Sequence, residues 1–155
     1  SGVADVQAGV ARMSSVADRG KWAEQQARQW LDRQSEIDAN FAVHRYPDAK
    51  AARGALAKQP SDYLVSNGTI YHLEIKETKE VNRLPKAKIR QYGMLLKWHW
   101  AKITPYVVVY RSTTNDWTYL GPDEMFCFDD CPPSFDMKQR PKFSTCAAVL
   151  EELFT

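Results

Sequence analysis

The sequence has few cysteines, few glycines and prolines, and no long apolar run, and each shortage excludes a class of protein. Three cysteines in 155 residues make no disulfide framework. The number is odd and no secretory hydrophobic segment opens the chain, so reduced thiols are expected. Cys127, Cys131 and Cys146 have no His nearby and lack the fourth ligand of a closed zinc site. Seven Gly and eight Pro are too few for a collagen-like or low-complexity chain. No apolar stretch reaches the ~18 residues that a membrane span requires. What is present, 44% hydrophobic and 26% charged residues, is the composition of a globular domain, and the length suits one domain. The expectation is a single cytoplasmic domain over residues 1–155, with 1–16 as an N-terminal arm and no membrane partner.

Acidic residues are scarce where basic ones gather. Residues 1–111 hold 18 Lys/Arg against 11 Asp/Glu, whereas residues 112–155 hold 3 against 8, which makes the last part an acidic segment. The stretch 76–102 is the most polarised: Lys76, Lys79, Arg83, Lys86, Lys88, Arg90, Lys97 and Lys102 face only Glu77 and Glu80. Such an excess suits a polyanion-binding face and equally a solvated helix surface.

Periodicity orders the elements. Trp22, Ala23, Ala27, Trp30 and Leu31 predict a helix from about Ala17 to Ile37. Phe41–Tyr46 reads as a short strand, and Pro47–Gln59 as a basic, Ala-rich connection or projecting helical turn. Tyr63–Val65 and Thr69–Lys76 flank Ser66, Asn67 and Gly68, a hairpin signal. Leu84–Lys102 reads as a second helix, Tyr106–Tyr110 as an interior strand and Trp117–Leu120 as another. Pro122–Phe128 and Ser144–Phe154 read as short helices separated by a Pro-rich loop. The order implies a mixed β-sheet flanked by helices, an α/β fold.

The chemistry lies in the hairpin. Strand alternation sends Tyr71, Leu73 and Ile75 to the interior and His72, Glu74 and Lys76 to the other face. Asp62 opens the partner strand, so pairing across the turn brings Asp62 and Glu74 to the same end. Two convergent carboxylates suit a hard cation such as Mg2+, which keeps most of its waters. A neighbouring Lys can orient the attacking water and counter charge in the transition state of phosphodiester hydrolysis. The same residues on an ordinary exposed strand would be plain surface groups, and so short a motif recurs by chance. Two features favour the chemical reading. Glu24 lies at the edge of the first helix's apolar stripe and can lean toward the sheet. The basic segment begins at Lys76 itself, so metal site and polyanion face adjoin.

Gly20-Lys21-Trp22-Ala23-Glu24, then Lys58-Gln59-Pro60-Ser61-Asp62-Tyr63, then Leu73-Glu74-Ile75-Lys76-Glu77-Thr78-Lys79 resemble the PD-(D/E)XK nuclease superfamily. With Leu84-Pro85 and Gln91 following, they look most like its RecU-like Holliday junction resolvases, over roughly Ala17–Arg111. The resemblance implies a restriction-endonuclease-like fold. It also implies a Mg2+ site (Mn2+ serving in its place) formed by Asp62, Glu74 and the carbonyl of Ile75, with Glu24 completing it directly or through water. Lys76 would position the water, and Gln91 would sit beside the metal or the scissile strand. The resemblance further implies a homodimer cutting DNA four-way junctions, with a stalk at Tyr46–Gln59 carrying Lys50, Arg53 and Lys58. This stretch is shorter than the family's usual stalk. Lys79, Lys86, Lys88 and Arg90 would bind DNA beside the site. The small size suits a phage-encoded member.

Rival readings are another task for the same site (flap, nick or end processing, or non-specific duplex cutting) and a catalytically silent DNA-binding module. A protein-interaction domain explains neither the hairpin nor the basic stretch.

Overall fold

A computed structural model describes residues 15–47, 59–126 and 132–155. Helix α1 (Val16–Ile37) starts where Ser15 caps it, its hydroxyl accepting the Asp18 N–H at 3.0 Å, a bond that satisfies an orphan donor of the first turn. Arg19, Ala23, Ala27 and Leu31, four residues apart, form its buried stripe. The small alanines let the helix lie close on the sheet, and Trp22 reaches over to the rings of Tyr110 and Trp117.

The main sheet has five strands in the order β1 (Ala42–Arg45), β2 (Tyr63–Ser66), β3 (Ile70–Thr78), β5 (Thr104–Arg111) and β6 (Asp116–Leu120). All neighbours are antiparallel except β3 and β5, which run parallel. The predicted mixed sheet flanked by helices is therefore what forms. The hairpin turn takes three residues, since Ser66 pairs with Ile70. Gly68 alone there adopts a positive φ, 111°. Asn67 pins the turn by donating its side-chain amide to the Phe154 carbonyl.

Alternation along β5 builds two cores. Val108 and Tyr110 pack with Leu73, Ile75, α1 and the C-terminal helix α4 (Cys146–Phe154) on one face. Val107 and Val109 pack on the other face with Leu84, Ile89, Leu95, Phe135 and Met137. The second layer comes from the crossover that a parallel pair requires.

That crossover departs from the expectation of one helix over Leu84–Lys102. It begins with a short strand β4 (Arg83–Pro85), continues through a 3-10 turn (Lys86–Lys88), and becomes helical only in α2 (Tyr92–Trp100). The cause is a partner distant in sequence. β4 pairs with β7 (Ser134–Asp136), a strand inside the presumed Pro-rich loop, and Lys86 N–H continues the ladder to the Pro133 carbonyl at 2.9 Å. Pro85 suits this edge position because its ring supplies no donor. The helix expected over Pro122–Phe128 is a single turn, α3 (Pro122–Met125). The expected N-terminal arm, most of the presumed stalk with Lys50, Arg53 and Lys58, and Cys127 and Cys131 lie outside the described residues. Among the described residues no helix is long and apolar enough to cross a membrane.

Candidate active site

Tyr63 stands opposite Leu73 in the β2–β3 ladder, so Asp62, one residue before β2, falls beside Glu74. It is locked there: its carboxylate accepts the backbone N–H of Ile75 at 2.8 Å. A residue's N–H and C=O face the same edge of an extended strand. The Ile75 carbonyl therefore also faces the edge left free beyond the start of β2.

Glu74 is 1% exposed, which excludes an ordinary surface carboxylate. One of its oxygens receives the Lys76 ammonium at 3.1 Å, and the other, Oε2, is buried without a partner. Burial and then the charge of Asp62 push the Glu74 carboxyl up to about 8. Asp62 is also raised, by burial first, against the lowering effect of the Ile75 N–H. With Glu74 buried and Asp62 half-buried beside it, two negative charges here would repel each other and Lys76 would neutralise only part of them. Without a further cation Glu74 therefore keeps its proton. The physical demand of this arrangement is for another cation. The orphaned Glu74 oxygen meets that demand chemically: two carboxylates and a free carbonyl edge are the hard oxygen donors that Mg2+ takes while keeping several waters. Among the described residues, no group of three or more His, Cys, Asp or Glu forms a metal cluster.

Asp62, Glu74 and Lys76 line an open hollow of about 510 Å³ whose opposite wall is Ala87, Lys88, Arg90 and Gln91. The 3-10 turn and the start of α2 thus bring basic groups and a buried, unpartnered Gln91 Oε1 to the carboxylates. Of the expected cations, Arg90 is exposed. Lys88 also donates to the Glu77 carbonyl at 3.3 Å, and Lys86 lies over the Tyr92 ring at 4.3 Å. Lys79 is exposed beyond the end of β3 and does not line the hollow.

Glu24 is not part of the lining either. It holds Arg45 of β1 through two bonds to the guanidinium, at 3.0 and 3.2 Å, and its charge is the last of those acting on Asp62. Sequence reasoning missed Arg45, whose partner lies on another element. It also missed the support beneath Glu74. The Ser61 hydroxyl donates to the Tyr63 carbonyl at 2.8 Å, which spends its one proton, so His72 Nδ1–H donates to Ser61 Oγ at 3.0 Å. Burial lowers the pKa of His72, favouring the neutral ring. The sequence signal was available, since His72 shares a strand face with Glu74.

No protein-family model matches the chain, and no curated protein matches it either. Among solved structures, a Holliday junction resolvase from the archaeal hyperthermophile Archaeoglobus fulgidus is similar at 19% identity, with a TM-score of 0.47, over 75% of this chain and 88% of that one.

Proposed function

We propose that this chain is a Mg2+-dependent DNA endonuclease of the PD-(D/E)XK type, acting on branched DNA as a homodimer, with four-way junctions as the preferred substrate. The observation that supports it most is the pairing of half-buried Asp62 with buried Glu74, one Glu74 oxygen left without a partner and an ammonium 3.1 Å from the other. A structural role gives no reason to set a second carboxylate against a buried one with too little positive charge; a cation site does.

Asp62, Glu74 and the Ile75 carbonyl would hold the ion. Bound there, Mg2+ would supply charge neutralisation at the phosphate and a more acidic water. The rest falls to the chain. The Ile75 N–H fixes the Asp62 carboxylate in one orientation. Lys76 orients the water for attack and offers positive charge as negative charge builds on the phosphate oxygens. Gln91 Oε1, an unpartnered acceptor in the same hollow, accepts a hydrogen bond from that water, or its amide NH2 donates to a phosphate oxygen of the scissile strand. Lys88 and Arg90 receive flanking phosphates, and Lys79 and Lys86 extend this surface. Glu24, released from Arg45 or through a water, is the further carboxylate that the family resemblance implies.

The test is cleavage of labelled four-way junction, flap, Y-fork and linear duplex with Mg2+ or Mn2+, by the wild type and by Asp62→Asn and Glu74→Gln. Symmetric incision of junctions, lost in both variants while junction binding persists, is the expected result. Equal cutting of linear duplex would remove the junction preference, and Mg2+-dependent turnover in both variants would remove the site.

A further inference from the structure

The face of the sheet that carries Glu74 also carries a set of aromatic rings outside both cores. His44 and Tyr46 meet edge to face with centroids 5.3 Å apart. Tyr46 lies 6.2 Å from His72, tilted by 30°, and His72 lies 5.6 Å from Trp98 of α2. Only His72 of the four is buried: Trp98 is 44% exposed, His44 is exposed and Tyr46 is half-buried. The position of this set is fixed relative to the carboxylates. Tyr46 N–H donates to the Asp62 carbonyl at 3.0 Å, so Tyr46, Asp62 and Glu74 form one row across three strands. His44 and His72 belong to the next row, on either side of Leu64. On α2, Leu95 points into the core, and Trp98, three residues on, is left to the outer edge beside His72.

We infer that Tyr46 and Trp98 form a stacking platform for an unpaired nucleobase of the strand whose phosphate lies at Asp62 and Glu74. This deepens the nuclease reading above and rests on it. Aromatic rings next to a phosphate-handling site match a nucleotide in both its parts, the π-face of the base and the anionic backbone. Lys88 and Arg90 line the same hollow as the carboxylates, and the rings lie outside that lining, so a strand whose phosphate lies at the carboxylates meets charge within the hollow and rings beside it. A branch point is where DNA presents bases without stacked neighbours, so such a platform favours branched over continuous duplex substrates. Beneath the platform, Ser61 holds the His72 ring in one orientation, which gives Tyr46 and Trp98 a fixed neighbour.

The experiment measures binding in EDTA, so that no cutting intervenes. Wild type, Trp98→Ala, Trp98→Phe and Tyr46→Ala are titrated with three probes of equal phosphate number: a thymidine single strand, the same strand made wholly abasic, and a duplex. Thermal melting shows that each variant is folded, and the two alanine variants serve as independent readings should one fail to fold. Trp98→Ala and Tyr46→Ala are each expected to weaken thymidine-strand binding roughly 5- to 100-fold, the range that loss of one stacked base implies. Abasic-strand and duplex affinities should stay within about two-fold of wild type, and Trp98→Phe should recover most of the loss. Unchanged thymidine binding in both alanine variants, or an equal loss on the abasic strand, overturns the inference. So does sedimentation showing that either variant turns a dimer into a monomer, because these rings would then be covered by a second copy. Failure here is distinct from failure of the nuclease reading, which is decided by Mg2+-dependent cutting by the wild type.

Discussion

Replacing Glu74 with Gln removes the charge that the fold accommodates worst, and the effect should appear as a change in how stability depends on pH. In the folded chain the carboxyl keeps its proton up to about 8, against an ordinary value of 4.5. Between those values the folded state binds more protons than the unfolded one, so stability falls as pH rises through the window. At about 1.4 kcal/mol for each factor of ten, the full gap sets a ceiling on the order of 5 kcal/mol. Asp62 titrates against Glu74, so a few kcal/mol is the expected share. His72 acts in the opposite sense: its lowered pKa means the folded state binds fewer protons below the ordinary 6.5, which raises stability as pH climbs toward that value. The difference between wild type and Glu74→Gln isolates the carboxyl, because His72 is common to both. Urea unfolding in EDTA at about pH 5, 6.5 and 8 measures it. The variant should gain on the wild type steadily across the series and be the more stable protein at the upper end. Adding Mg2+ at about a hundred times its Kd should then return about 2.7 kcal/mol to the wild type and little to the variant. Parallel pH profiles for the two proteins would refute the claim that Glu74 is held as a strained, cation-seeking carboxylate.

Three further outcomes follow from the same geometry. Lys76→Ala should lower junction cleavage by about 10²–10⁴ if the ammonium orients water. It should melt close to the wild type in EDTA at neutral pH, because without the ammonium the buried Glu74 keeps its proton instead of carrying an unpaired charge; cleavage at the wild-type rate sinks the assignment. Arg90→Gln should lower the slope of log K against log salt for duplex DNA by about one, while Lys86→Gln, whose ammonium lies on Tyr92, should change it less. An unchanged slope for Arg90→Gln would mean that this wall faces solvent only. On the other face, Arg19 reaches Glu77 at 2.8 Å with both side chains buried, and Ser112 donates to the same carboxylate oxygen. Arg19→Ala should therefore cost about 3–5 kcal/mol in chemical unfolding, since it leaves a buried charge unpaired; a loss under 1 kcal/mol would count against that pair as a structural clamp.

What could be read from the sequence was what is determined locally. The period-two pattern of Tyr71 to Lys76 and the Asn67-Gly68 turn fix the hairpin register, and the register alone brings Asp62 to Glu74. The near-helical recurrence of Trp22, Ala23, Ala27, Trp30 and Leu31 placed α1 to within a residue. What could not be read depends on partners far along the chain. Leu84-Pro85 looks like a helix start until Phe135, 51 residues later, is known to pair with Leu84. The pairing of Glu24 with Arg45, 21 residues later, was equally out of reach. The burial of Glu74 was likewise invisible, because an isolated hairpin leaves that face open to water.

The crossover connects these observations. A parallel β3–β5 pair cannot be joined by a hairpin, so the chain must leave β3 at Thr78 and return at Thr104 over one face of the sheet. It returns over the Glu74 face, and its first turns place Ala87, Lys88, Arg90 and Gln91 across from the carboxylates. One topological constraint therefore does three things. It dries Glu74 enough to raise its pKa, lines the hollow with cations, and carries Trp98 to His72. The adjacency of carboxylates and basic residues, which in the sequence was only a charge pattern, is a consequence of the strand order. A substitution that shortened or straightened the β4 and 3-10 segment should thus disturb Glu74 ionisation and DNA binding together. Separate loss of one without the other would show that the two are not joined through this segment.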